Sequence, residues 1–181
     1  MTPIGLFYGT DTGFTRIVTD LMVKEFDAVA PDLLTIHDVA DEPIANMLAY
    51  NYLIVGCPTW NVGQLQDDWD DQFLNLDDLE LTSKKIAIFG LGDQYGYPES
   101  FCDAIGILGR KFIAQGAELV GFTPTDGYEF THSGGVAGEM FMGLALDDEN
   151  ESEKTPGKIT DWVWQLVDEF DLVHLLEPAL A

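Results

Sequence analysis

Apolar residues gather along the chain in short, nearly unbroken runs at 4–8, 33–36, 52–56, 86–91 and 119–122, each bounded by Gly, Pro, Asp or Thr. A strand covered by apolar layers on both faces has this pattern, because neither face is left to alternate with polar residues. Between the runs the spacing turns helical. Phe14, Ile17, Val18, Leu21, Met22 and Phe26 fall on one predicted helix face. Phe101, Ala104, Ile105, Leu108 and Phe112 fall on a second, and Trp162, Val163, Leu166, Val167 and Phe170 on a third. The stretch 69–79 is expected to start helical and fray into acidic loop, and 44–49 to make a short helical turn. Strands alternating with helices predict an α/β fold, a parallel sheet with helices on both sides. Five strands suit an open, doubly wound sheet rather than an eight-stranded barrel.

One stretch breaks the rhythm. Residues 123–140 hold Gly127, Gly134, Gly135 and Gly138 with little periodicity, and the apolar run 141–146 follows. Irregular insertions of this length are functional or peripheral. The expectation is an excursion after which the edge strand resumes, within a single domain spanning 1–181.

Composition narrows the function. The 181 residues carry 8 Lys+Arg against 32 Asp+Glu, a formal net charge of −24. Both nucleic acid and an anionic membrane surface would repel such a chain, so cationic protein partners are favoured. With 46% hydrophobic residues, disorder is excluded despite the charge. Two cysteines, Cys57 and Cys102, make no disulfide framework. No apolar run reaches the length of a membrane span. The sequence runs from Met1 straight into a strand pattern, so no targeting segment is expected within it.

In an open parallel sheet, ligands sit beyond the carboxyl ends of the strands, which draws attention to three loops. The first, Gly9-Thr10-Asp11-Thr12-Gly13-Phe14-Thr15, opens a predicted helix with three hydroxyls and a run of backbone N–H groups. One Thr alone would read as a helix cap; three around a glycine favour a phosphate cradle. It is neither a Walker A loop nor a dinucleotide fingerprint, and it holds no cation. The second, Cys57-Pro58-Thr59-Trp60-Asn61-Val62-Gly63, displays a Trp. Taken alone, Trp60 reads first as a partly buried packing residue. The third, Gly90-Leu91-Gly92-Asp93-Gln94-Tyr95-Gly96-Tyr97, sets one carboxylate and two Tyr among glycines that let a ligand approach the backbone. Together these elements suit a flat aromatic ring bearing one phosphate.

On those three motifs the chain resembles a long-chain flavodoxin over 4–173. The family's phosphate loop, Thr/Ser-x-Thr-Gly-x-Thr, stands here as Thr10-Asp11-Thr12-Gly13-Phe14-Thr15, with Phe14 where a polar residue is common. The stacking Trp matches Trp60, the second aromatic matches Tyr97, and Asp93 falls next to the pyrimidine edge. The insertion at 123–140 resembles the one that separates long-chain from short-chain members.

The resemblance implies a flavodoxin-like three-layer sandwich, strand order 2-1-3-4-5, with the last strand split. It implies tightly but non-covalently bound FMN, contacted by Thr10, Asp11, Thr12, Gly13, Phe14, Thr15, Pro58, Thr59, Trp60, Asn61, Val62, Gly63, Leu91, Gly92, Asp93, Gln94 and Tyr97. It further implies a low-potential one-electron carrier with no substrate turnover of its own. Its partners would be basic-surfaced redox proteins: ferredoxin-NADP reductase, photosystem I or other ferredoxin-linked enzymes. A monomer is expected, cytoplasmic if bacterial or in the plastid stroma if algal. The alternative is an FMN-dependent NAD(P)H quinone or nitro reductase on the same fold, for which the sequence shows no second nucleotide motif.

Other residues are set aside. Asp67-Asp68-Trp69-Asp70-Asp71 and Asp147-Asp148-Glu149-Asn150-Glu151 lack the order of a calcium loop and are expected to be solvated faces. The first group, with Asp77, Asp78 and Glu80, also forms an expected steering rim for partners. His37, His132 and His174 lack metal-ligand spacing; His37 is expected to be structural. Cys57 has no neighbouring base and reads as a small buried hydrophobe.

Overall fold

A computed structural model describes residues 4–176. The chain runs β1 (Ile4–Tyr8), α1 (Phe14–Val29), β2 (Leu34–Asp38), β3 (Tyr52–Pro58), α2 (Asp67–Gln72), β4 (Lys85–Leu91) and α3 (Asp103–Ala114). It continues through β5 (Glu118–Val120), β6 (Thr123–Pro124), β7 (Val136–Ala137), β8 (Met140–Phe141), β9 (Leu144–Leu146), α4 (Asp148–Glu151) and α5 (Thr155–Glu169). The strands pair in the order β2-β1-β3-β4-β5, all parallel. β5 lies beside Lys85–Ala87 and β9 beside Phe89–Leu91, so the last position is one strand in two pieces.

The period-2 alternation of the strands sorts the core into two layers. Phe7, Leu53, Val55, Cys57, Ile86 and Ile88 face one side and meet Trp69, Ile105, Leu108 and Phe112 of α2 and α3. Ile4, Leu6, Ile54, Ala87 and Phe89 face the other and meet Val18, Met22, Trp162 and Leu166 of α1 and α5. This is the flavodoxin-like three-layer sandwich. As expected, 44–49 forms one short 3-10 helix. Past α2 the chain makes another at Phe73–Asp78 rather than the acidic loop expected there, because Leu76 is drawn into the core.

Three further expectations need correction. In β2, Thr35 and Ile36 are exposed. Its edge position leaves those residues outside both core layers, so the strand is not covered on two faces. On α1, Phe14 and Ile17 are 43% and 55% exposed. The helix buries Val18, Met22 and Phe26 together with Thr15 and Thr19, so its buried face includes two threonines and leaves Phe14 and Ile17 outside. Finally, the insertion is not irregular throughout. β6, β8 and β7 form a small antiparallel sheet, and the edge strand resumes at Leu144 rather than Phe141. Tyr128, Phe130 and Phe141 pack around Phe101 at ring-centroid distances of 5.6, 5.6 and 5.9 Å, which anchors the insertion to the core.

His37 stacks on Phe7 at 4.3 Å and bonds Glu42 and Tyr50 at 2.5 and 2.8 Å, a structural role. No helix among the described residues is long and apolar enough to cross a membrane.

Candidate functional site

Parallel strands deliver their following loops to one edge of the sheet. Strand order reverses at β1 and β3, so the loops after them part and leave a crevice. The crevice holds a cavity of about 310 Å³, within the range of small-molecule sites. Thr12, Phe14 and Thr15 line it from the first loop, Pro58, Thr59, Trp60 and Asn61 from the second, and Leu91, Gly92, Asp93 and Tyr97 from the third. Asp148 and Glu149 complete the wall.

The first loop ends in a bare helix terminus. Gly13 precedes α1 at φ 90°, ψ −6°, and no side chain caps the helix. A Cβ on Gly13 would meet nothing within 4 Å, so the glycine is needed for its backbone angle and not for space. Thr10 Oγ1 accepts from Gly13 N at 3.0 Å and holds that turn. The opening N–H groups of α1 are left for an outside acceptor, with the positive end of the helix dipole behind them. Asp11 turns to Gln66, whose Nε2 donates to it at 3.0 Å. Thr10, Asp11 and Gly13 shape the loop without lining the cavity.

The second loop is a tight turn closed by reciprocal Trp60–Gln64 backbone bonds of 2.9 Å. Asn61 takes φ 48° and Gly63 φ 77°, the left-handed region that Asn and Gly tolerate. Thr59 Oγ1 accepts from Ala104 N at 3.1 Å near the start of α3. Trp60 is half-buried and faces the cavity, yet its Nε1 is inaccessible and has no hydrogen-bond partner. A packing Trp of the core would have found one, as Trp69 Nε1 does by donating to Gly56 O at 2.9 Å. Val62 points outward, 77% exposed, and Gly63 lies against Asp103 and Ser100; neither lines the cavity.

In the third loop Asp93 accepts from Gly96 N at 2.7 Å, Tyr95 N at 3.1 Å and Asn150 Nδ2 at 2.8 Å. The Gly96 bond, before the others, holds its carboxyl below the usual range. Tyr97 lines the cavity and is 52% exposed. Gln94 does not reach the cavity. It is fully buried and its amide donates to Asp147 Oδ2 at 2.9 Å. Cys57, beside the site, is fully buried, and desolvation pushes its thiol up to about 12.

The acidic stretch 147–151 also departs from the solvated face expected of it. Asp147 and Glu151 are buried, and Asp148 and Glu149 line the cavity. β9 forms before the stretch, so its residues fall at the same carboxyl edge as the other loops. The strand-end rule would have pointed to them once the split strand was taken as an element of its own.

Comparison with known proteins agrees with this arrangement. The family model described as Flavodoxin matches residues 6–162. A flavodoxin of Nostoc sp. is 47% identical over 169 residues, 93% of this chain and 98% of its own. Flavodoxin 2 of Escherichia coli is 42% identical over 168 residues, 92% of this chain and 95% of its own. The crystal structure of Fusobacterium nucleatum flavodoxin bound to flavin mononucleotide superposes with a TM-score of 0.88 at 32% identity, covering 93% of this chain and 99% of that one. With the sheet order, the split edge strand and the three loops in place, this chain belongs to the flavodoxin family.

Proposed function

We propose that the chain is a low-potential one-electron carrier holding FMN non-covalently between its three loops. One observation carries the reading: an uncapped helix N-terminus opens into the same cavity that Trp60 and Tyr97 line. Doubly wound sheets take ligands at this switch point, and flavodoxins are themselves a standard instance of that rule. The residues present also fit the group. The α1 terminus and the Thr hydroxyls suit a phosphate dianion. Trp60 and Tyr97 line the cavity from two different loops, which suits a flat aromatic ring between them.

The flavin supplies the one-electron redox chemistry; the chain binds, orients and biases it. The N–H groups at the start of α1, with Thr12 and Thr15, would hold the phosphate. Trp60 and Tyr97 would offer aromatic faces to the ring, and Asp93 a carboxylate beside it. Three carboxylates, Asp93, Asp148 and Glu149, line the cavity, and its lining holds no Lys or Arg. They oppose negative charge added inside. A single charge 10 Å away through water contributes about 0.4 kcal/mol. At a formal net charge of −24 most such contributions share one sign, which favours a low potential.

The partners are basic-surfaced redox proteins that otherwise take a ferredoxin, such as ferredoxin-NADP reductase or photosystem I. The chain works as a monomer and one domain, in the cytoplasm of a bacterium or in a plastid stroma. The test is spectroscopic. The purified protein is expected to be yellow, inert to NADPH alone and reduced once ferredoxin-NADP reductase is added. A chain that takes up no FMN would overturn the reading, and steady NADPH oxidation without added reductase would favour the reductase alternative.

A further inference from the structure

A closed polar network joins the third loop, the end of β9 and the insertion. Asp147 is 1% exposed and forms no ion pair among the described residues. Its Oδ2 accepts from Gln94 N at 3.1 Å and from Gln94 Nε2 at 2.9 Å. Its Oδ1 accepts from Asn150 N at 3.1 Å and Asn150 Nδ2 at 3.0 Å. Gln94, fully buried, accepts from Glu129 N of the insertion at 2.6 Å. Asn150 Nδ2 also donates to Asp93 Oδ1, the oxygen that receives Tyr95 N and Gly96 N.

Burying an unpaired carboxylate costs several kcal/mol unless donors surround it. Here the donors all come from segments that bear on the cavity. Gln94 stands between Asp93 and Tyr97, and Asn150 follows Asp148 and Glu149. The carboxylate therefore fixes two cavity walls against each other, and the Gln94 amide extends the tie to the insertion.

We propose that Asp147 is a positioning residue: through Gln94 and Asn150 it sets Asp93 and Tyr97 in their places before a ligand arrives. Preorganisation of this kind raises affinity by removing the ordering cost from the binding step. The binding part of the inference rests on the assignment of the cavity to FMN; the ordering of the loop does not.

The experiment pairs amide hydrogen exchange with flavin titration on the full chain, using Asp147→Asn and Asn150→Ala. Asn150 is exposed, so its variant reports even if Asp147→Asn fails to fold. In the apo protein, exchange at Tyr95, Gly96 and Tyr97 is expected to quicken about tenfold, as for loss of a bond to a charged group, with β1 and β3 unchanged. FMN and riboflavin affinities are expected to fall by the same factor, because the third loop meets the ring and not the phosphate. Unchanged exchange overturns the proposal. So does uniform quickening across the sheet, which would make the network a general stabiliser, or a loss confined to FMN. If the unsubstituted chain binds no flavin, the functional assignment falls, and the exchange data alone decide the positioning role.

Discussion

Gly13→Ala isolates what the left-handed turn before α1 contributes. A methyl group there meets no atom within 4 Å, so no steric clash enters the cost. What remains is the backbone: φ 90° is open to glycine and costs an L-residue about 1–2 kcal/mol. Thr10 Oγ1 accepts from Gly13 N at 3.0 Å and Ile17 N donates to Gly13 O at 3.2 Å, so the turn is held by one loop bond and by the first turn of α1. The apo protein can relax the strain by letting the turn drift, whereas a phosphate on the α1 terminus demands the original angle. Placed wholly on FMN affinity, that cost would be a weakening of roughly five- to thirtyfold at about 1.4 kcal/mol per decade, and the larger part of it is expected there. The rest appears as a lower urea midpoint of the apo chain. Fluorescence titration with FMN and riboflavin, beside urea unfolding, measures both parts. Riboflavin affinity is expected to hold. If FMN affinity and apo stability are both unchanged, the turn is not what presents the helix terminus, and the reasoning fails.

Thr12→Val should weaken FMN by about 1.5–3 kcal/mol, as for a lost bond to a charged group, and leave riboflavin untouched in the same titration. For Asp93 the folded carboxyl lies below its ordinary value, so its stabilising contribution is fully present above the unfolded pKa. That contribution is lost as pH falls through the depressed value; unfolding midpoints of the parent and of Asp93→Asn, followed downward from pH 5, should converge at the acid end. Electron exchange with a basic-surfaced reductase should slow as salt rises, since the Debye length falls from about 30 Å at 0.01 M to about 3 Å at 1 M. Asp67→Lys with Asp71→Lys, both exposed, should slow it at low salt without altering FMN affinity, and stopped-flow rates that ignore ionic strength would remove the steering role from that rim.

The strands that build the site were legible because each is an apolar run ending at a Gly, Pro or Thr, and β1 matches its run, Ile4–Tyr8. The helix faces were less so. Apolar spacing on α1 admits Phe14 and Ile17, but it cannot show that Thr15 and Thr19 occupy the buried side instead. Gly13 and the hydroxyls of Thr10, Thr12 and Thr15, on which the expected phosphate site rests, stand side by side in the sequence. Gln94 reads as a ligand contact because it is a polar side chain in a glycine-rich strand-end loop, while its amide pairs with Asp147, 53 positions away. Gln66, which ties Asp11 to α2, was hidden for the same reason. Long-range pairing of polar groups leaves no periodic trace. For Asp147–Glu151 an acidic run suggested solvent, and only the pairing of β9 with β4 brings it to the site edge.

A crystal structure of the chain grown with FMN would show whether the α1 terminus, Trp60 and Tyr97 together hold it. The phosphate is expected within hydrogen-bond reach of the N–H groups at Phe14 and Thr15, and the ring between Trp60 and Tyr97 with its polar edge toward Asp93. A flavin bound elsewhere, or a phosphate away from the helix terminus, would contradict this placement.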